Sequence, residues 1–208
     1  MTTREEAAEQ LRVIRSMMER ATIFRALSGE TALVGGAAAL GAAWVSENRT
    51  GWAWATVWLI GLAAALAFNA WQLYRMAAAK NGRMWTSGLK LALRGAMPSI
   101  MAGGFLGLVC VRAGSTSQAA CFWILHYGIA LLAIREFAPK SMVWLGWAFV
   151  IFGVLALAAM INLLGPQVTP VMAYLKNGSR LMAIAFGGFH LIYGAAIVTT
   201  GSREESDA

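Results

Sequence analysis

Along its length the chain alternates long stretches free of charge with short stretches that carry most of it. Six charge-free windows stand out, bounded by Glu30–Glu47, Arg49–Arg75, Arg94–Arg112, Arg112–Arg135, Lys140–Lys176 and Arg180–Arg203. They hold 16, 25, 17, 22, 35 and 22 residues. A helix that crosses a bilayer needs about 20 apolar residues. The fifth window exceeds one crossing, but Gly165-Pro166 and Pro170 interrupt it. Its helix is therefore expected to end near Leu164, with 165–180 as a loop. The pattern predicts an all-α polytopic membrane protein with six transmembrane helices, at 31–46, 52–74, 95–111, 119–134, 142–164 and 181–200.

The first window is the short one, rising only about 24 Å as a helix against a hydrocarbon core of about 30 Å. Basic residues decide its reading. With six crossings and a cytoplasmic amino terminus, thirteen Lys and Arg fall inside and four (Arg49, Arg112, Lys176 and Arg180) outside. Without the first crossing the split is nine to eight, and the positive-inside bias disappears. Six crossings with both termini inside is the expected topology. Trp44, Trp52 and Trp54 then fall at the outer boundary and Trp71, Trp144 and Trp147 at the inner one, where an amphipathic indole prefers to lie.

Composition agrees. The chain is 59% hydrophobic before its 22 glycines are counted, and 13% charged. An ordinary domain is roughly 45–50% apolar with glycine included, and about 25% charged. These values exclude a disordered chain, a disulfide scaffold and a freely soluble enzyme. The net charge of +7 follows from retention of Lys and Arg on the cytoplasmic side, so nucleic acid is not an expected partner. The first apolar run begins at residue 31, behind a charged stretch, which is not the layout of a secretory signal.

That leading stretch, within an N-terminal segment of residues 1–29, predicts an amphipathic cytoplasmic helix over 3–27. Ala7, Leu11, Ile14, Met17, Met18, Ala21 and Phe24 recur at three- and four-residue steps, with Arg and Glu on the other side. Leu11, Ile14, Met18 and Phe24 are the candidate docking residues. The stripe suits packing on the protein's own inner surface, lying along lipid headgroups, or docking a second copy or a cytoplasmic partner. Residues 202–208 read as a polar tail. In the first crossing, Gly35, Ala39 and Ala43 share one face, and Ala37 and Gly41 a neighbouring one. Small residues let helix backbones touch where lipid removes the hydrophobic drive. Packing within the bundle, homo-oligomerisation and docking on a transporter's membrane partner all remain open there. The segment Arg75–Arg94 has five basic residues and no acid, a topology anchor or a site for a lipid headgroup or an anionic ligand on the inner face.

Chemistry-bearing residues are few. His126 and His190 are both expected within the membrane at similar depth, with Tyr127 adjacent to the first and Tyr193 one turn from the second. They read as neutral hydrogen-bonded imidazoles, as a proton or solute path, or as axial ligands of a haem. Cys110 and Cys121 bracket the second outer turn, where a disulfide is a candidate and two buried thiols the alternative. Asn69, Gln72 and Asn162 suit interhelical hydrogen bonds. No charge lies deep in a crossing, and no Gly-x-Ser-x-Gly or His-Glu-x-x-His occurs. A carboxylate-driven pump and the common serine and zinc hydrolases are thereby disfavoured. No metal or cofactor is expected.

The run Met17-Met18-Glu19-Arg20-Ala21-Thr22-Ile23-Phe24-Arg25-Ala26-Leu27-Ser28-Gly29, with Tyr127-Gly128 and Leu145-Gly146-Trp147-Ala148-Phe149, resembles an uncharacterised family of small six-span bacterial inner-membrane proteins. The resemblance implies a location and no activity. The expected function is a non-enzymatic membrane protein that assembles with itself or a partner. A small-solute permease subunit and a haem-bearing redox protein are the alternatives.

Overall fold

The computed structural model describes residues 6–11, 29–79, 85, 87–161, 163 and 176–206. Among them there is helix and no strand. We number the helices α1 (Gly29–Ser46), α2 (Gly51–Ala79), α3 (Ser87–Arg112), α4 (Thr116–Ala133) and α5 (Lys140–Met160). The last, α6, joins Gly178–Met182, a π-helical stretch Ala183–Phe189, and His190–Ser206 without a break. Five helices are long and apolar enough to cross a membrane, namely α2, α3, α4, α5 and α6. The chain is thus an all-helical protein of membrane character. Helix α1, with Glu30 and Thr31 in its first turn, falls short of that standard.

Charge placed the boundaries well but not perfectly. Helix α5 stops at Met160 rather than Leu164. Helix α6 runs on to Ser206 through residues read as a tail, because Arg203, Glu204 and Glu205 are good helix formers. Asn162 and the interruption at Gly165-Pro166 lie outside the described residues. So do Ile14, Met18 and Phe24, whereas residues 6–11 are helical and Leu11 is 67% exposed.

Two tight turns make antiparallel hairpins of α1–α2 and α3–α4. Each turn holds a glycine in the left-handed region, Gly51 at φ 53° and Gly114 at φ 85°, where a side chain would strain the backbone. Ser115 closes the second turn by accepting the Gln118 N–H and so capping α4. Helix α4 is central, touching α3, α5, α2 and the start of α6. Only 17% of the most apolar stretch of α2 and of α3 is buried, against 39% in α4 and α5. Helices α2 and α3 therefore turn most of their surface outward, as lipid-facing helices do.

Helix α1 lies antiparallel on α6 over its whole length. A Cβ on Gly29 would come within 2.9 Å of Gly194 O and Val198 Cγ2; one on Gly36 would meet Leu191 Cγ at 2.9 Å and Gly187 O at 3.0 Å. From the other side, a Cβ on Gly187 would strike Leu40 Cδ2 at 2.5 Å, and one on Gly194 the Gly29 carbonyl at 2.7 Å. At the far end Ser46 reaches Ser179. The face that packs is thus Gly29, Gly36 and Ala43 at seven-residue steps. This corrects the expected Gly35–Ala39–Ala43 face. Ala43 is buried and Ala39 packs at the edge of the core, but a Cβ on Gly35 or Gly41 would meet nothing within 4 Å.

Gly36→Leu should therefore overpack the α1–α6 seam and cost about 1–3 kcal/mol. Gly35→Leu, one residue away, should stay within about 0.5 kcal/mol. Denaturant unfolding in detergent separates the two, and equal losses would contradict this seam.

Candidate functional site

Two polar clusters interrupt the apolar interior. The first joins α4 to α6 through Tyr127 and His190. His190 Nδ1 lies 3.0 Å from its own helix's Phe186 carbonyl, which can only accept, so Nδ1 carries the proton. In the neutral ring Nε2 then accepts from the Tyr127 hydroxyl, 3.0 Å away. Around this pair, Phe149 is fully buried and stands edge-on to Tyr127, Phe186, Phe189 and His190 at centroid separations of 4.8–5.5 Å. Glycines allow the approach, since a Cβ on Gly128 would meet the Gly146 carbonyl and Phe149 Cβ at 2.8 Å. The imidazole sits in a packed aromatic box with both nitrogens engaged.

His126 is in a different place. Its Nδ1 donates to Phe122 O at 2.9 Å, its carbonyl accepts from Ser99 Oγ at 2.8 Å, and its ring packs on α3 where Gly103 leaves room. Adjacent residues on a helix point about 100° apart, so His126 faces α3 while Tyr127 faces α6. The structure brings Tyr127 and His190 together and leaves His126 outside that pair. Tyr193 is half-buried at the edge of the core.

The second cluster lies where α1 ends and α2 and α6 begin. Ser46 and Ser179, both buried, have their hydroxyl oxygens 2.7 Å apart. Trp54 Nε1 donates to Ser179 Oγ at 2.9 Å and Trp58 Nε1 to Ser46 Oγ at 3.1 Å. Ser46 gives its proton to Ala43 O at 3.3 Å, so Ser179 is the donor between the two hydroxyls. Every group has a partner. Trp54 also stacks on Trp123 at 5.2 Å and is 1% exposed. This corrects its placement at a lipid boundary, whereas Trp44 (81%) and Trp52 (54%) are exposed.

Outside the serines, Asn177 caps α6 by accepting the Ser179 and Arg180 N–H groups and donates to Glu47 O. Arg180 Nε and Nη2 reach Glu47 Oε1 at 2.8 and 2.7 Å. Ser117 donates to the Lys176 carbonyl, and Gly178 abuts Thr116, joining α4 to the same end. Ser46, Ser179 and the Glu47–Arg180 pair were not singled out from the sequence. The serines are 133 residues apart, and only the place of each beside a charge that bounds an apolar window, Glu47 and Arg180, hints at them.

Cys110 and Cys121 are free thiols, so the candidate disulfide is not formed; Cys121 is buried with Sγ 3.9 Å from Met160 Sδ. Gln72 makes its expected interhelical bond, to Thr31 Oγ1 at 3.1 Å. Asn69 instead donates to Ala65 O of its own helix, and its buried Oδ1 has no partner among the described residues. Among those residues no group of three or more His, Cys, Asp or Glu is placed to hold a metal. No family model, curated protein or solved structure matches the chain.

Ser179→Ala removes the acceptor of one indole and the donor to Ser46, and should cost about 1–3 kcal/mol, with a change in tryptophan emission as Trp54 loses its bond. Tyr127→Phe removes one interhelical bond and should cost only about 0.6 kcal/mol, below the roughly 1.7 kcal/mol maximum for such bonds. Unfolding titrations of both variants give the comparison.

Proposed function

We propose that this is a six-crossing protein of a bacterial inner membrane, with both termini cytoplasmic, that acts by assembly with itself or a partner rather than by catalysis. The observation that carries the sixth crossing is the antiparallel seam between α1 and α6. Helix α6 is long and apolar enough to cross, and α1 accompanies it from Gly29 beside Val198 to Ser46 beside Ser179. A helix fixed along a crossing helix at both ends shares its depth. Its modest apolarity is offset by close backbone contact, which is how small residues hold helices in lipid. The distribution of basic residues, thirteen to four, supports the orientation.

Assembly is favoured by how the polar groups are spent. The Tyr127–His190 bond is enclosed by Phe149, Phe186 and Phe189, and the serine–indole cluster closes on itself. Solute passage calls for a polar cavity beside His190, and this ring packing weighs against it. Meanwhile Leu11, the first large residue of the amphipathic stripe, is 67% exposed. An apolar residue so placed suits a docking helix, with residues 3–27 as the segment that engages a cytoplasmic partner or second copy.

A reporter fused after Trp44 is expected on the face opposite the amino terminus; the same face for both would remove the sixth crossing. Deleting residues 1–27 is expected to abolish co-purification of the assembly while the helical body still folds. Retained association would remove the docking role.

A further inference from the structure

A shallow cavity of about 210 Å³ opens between α1 and α6 beside the Glu47–Arg180 pair. Its charged residues lie at the helix ends, with the buried Ser179 behind them and apolar residues further along both helices. Glu47 and Arg180 each keep 37% of the side chain exposed at the helix ends, and the indole of Trp44, one turn from Glu47, is 81% exposed. Further along the helices the walls are Leu40 and Ile184, about 10 Å below Glu47 and about 6 Å below Arg180 at the helical rise. This order, charge at the helix ends and hydrocarbon toward the middle of the bundle, is that of a bilayer lipid standing upright.

We propose that this groove binds one zwitterionic phospholipid. The Arg180 guanidinium meets the phosphate, the ammonium lies between the Glu47 carboxylate and the face of Trp44, and an acyl chain starts along Leu40 and Ile184. Charge complementarity selects the headgroup. The mouth offers one cation and one anion held 2.7 Å apart, which match the two charges of a zwitterion, whereas an anionic headgroup would set its net charge against Glu47. The inference rests on the membrane reading of the helices and is independent of the docking role of residues 3–27.

The test is native mass spectrometry of the purified full-length protein in detergent, with phosphatidylethanolamine or phosphatidylglycerol of identical acyl chains added at equal concentration. One phosphatidylethanolamine per chain should be retained, about tenfold more than phosphatidylglycerol. Trp44→Ala and Arg180→Gln should each lower that retention by about tenfold, with the helical circular dichroism unchanged. Equal retention of both lipids, or undiminished phosphatidylethanolamine in Trp44→Ala, overturns the proposal. Trp44 is almost wholly exposed, so that variant decides even if Arg180→Gln fails to fold. A negative result would leave the deletion of residues 1–27 to judge assembly separately.

Discussion

The close approach of two backbones, α1 on α6, is the constraint from which the rest of the arrangement follows. In lipid, apolar side chains gain nothing by leaving one hydrocarbon for another, so helices adhere through packing and hydrogen bonds. Gly29, Gly36 and Ala43 give α1 a flat edge, and Gly187 and Gly194 give α6 the matching one. Once those edges meet, Ser46 is carried to Ser179 and Glu47 to Arg180. The short turn after Ser46 then brings α2 in with Trp54 and Trp58, whose indole N–H groups finish the serine cluster. Each later contact depends on the first being tight.

The two polar clusters follow one rule. A buried donor or acceptor without a partner is costly, and both clusters close their accounts within the protein. Tyr127 and His190 end on the Phe186 carbonyl, and the two serines end on the Ala43 carbonyl. Their place in the bundle differs. The serine cluster fastens three helices at one end, where α6 also leans on the start of α4, while the imidazole pair ties α4 to α6 further along. Together they tie α1, α2 and α4 to α6, and α4 also packs on α3 and α5.

Helix positions were legible because charge is expensive in lipid and therefore marks the ends of crossings. Which glycines make contact was not. In Val34-Gly35-Gly36-Ala37-Ala38-Ala39 nearly every face is small, so periodicity cannot choose between Gly35 and Gly36, although one step turns the contact through about 100°. Trp54 and Trp52 look equivalent in sequence, two indoles near a boundary; only the fold reveals that one finds Ser179 and the other stays exposed. The histidines were rightly placed within apolar helices, but their neighbours in space come from helix rotation, which a single sequence does not encode. Tyr127 therefore emerged as the partner of His190 rather than an accessory of His126.

The π-helical stretch Ala183–Phe189 has a consequence for how α6 can be read. Residues that face α1 recur at Ser179, Ala183, Gly187 and Leu191, steps of four that would drift around an ordinary helix. An i→i+5 ladder winds more residues into each turn and cancels the drift. The wide turns act as a phase corrector: they keep one edge straight against α1 while the residues between point toward α4 and α5. A search for a 3.6-residue rhythm across this helix would detect two short patterns out of register, where the folded chain has a single continuous face.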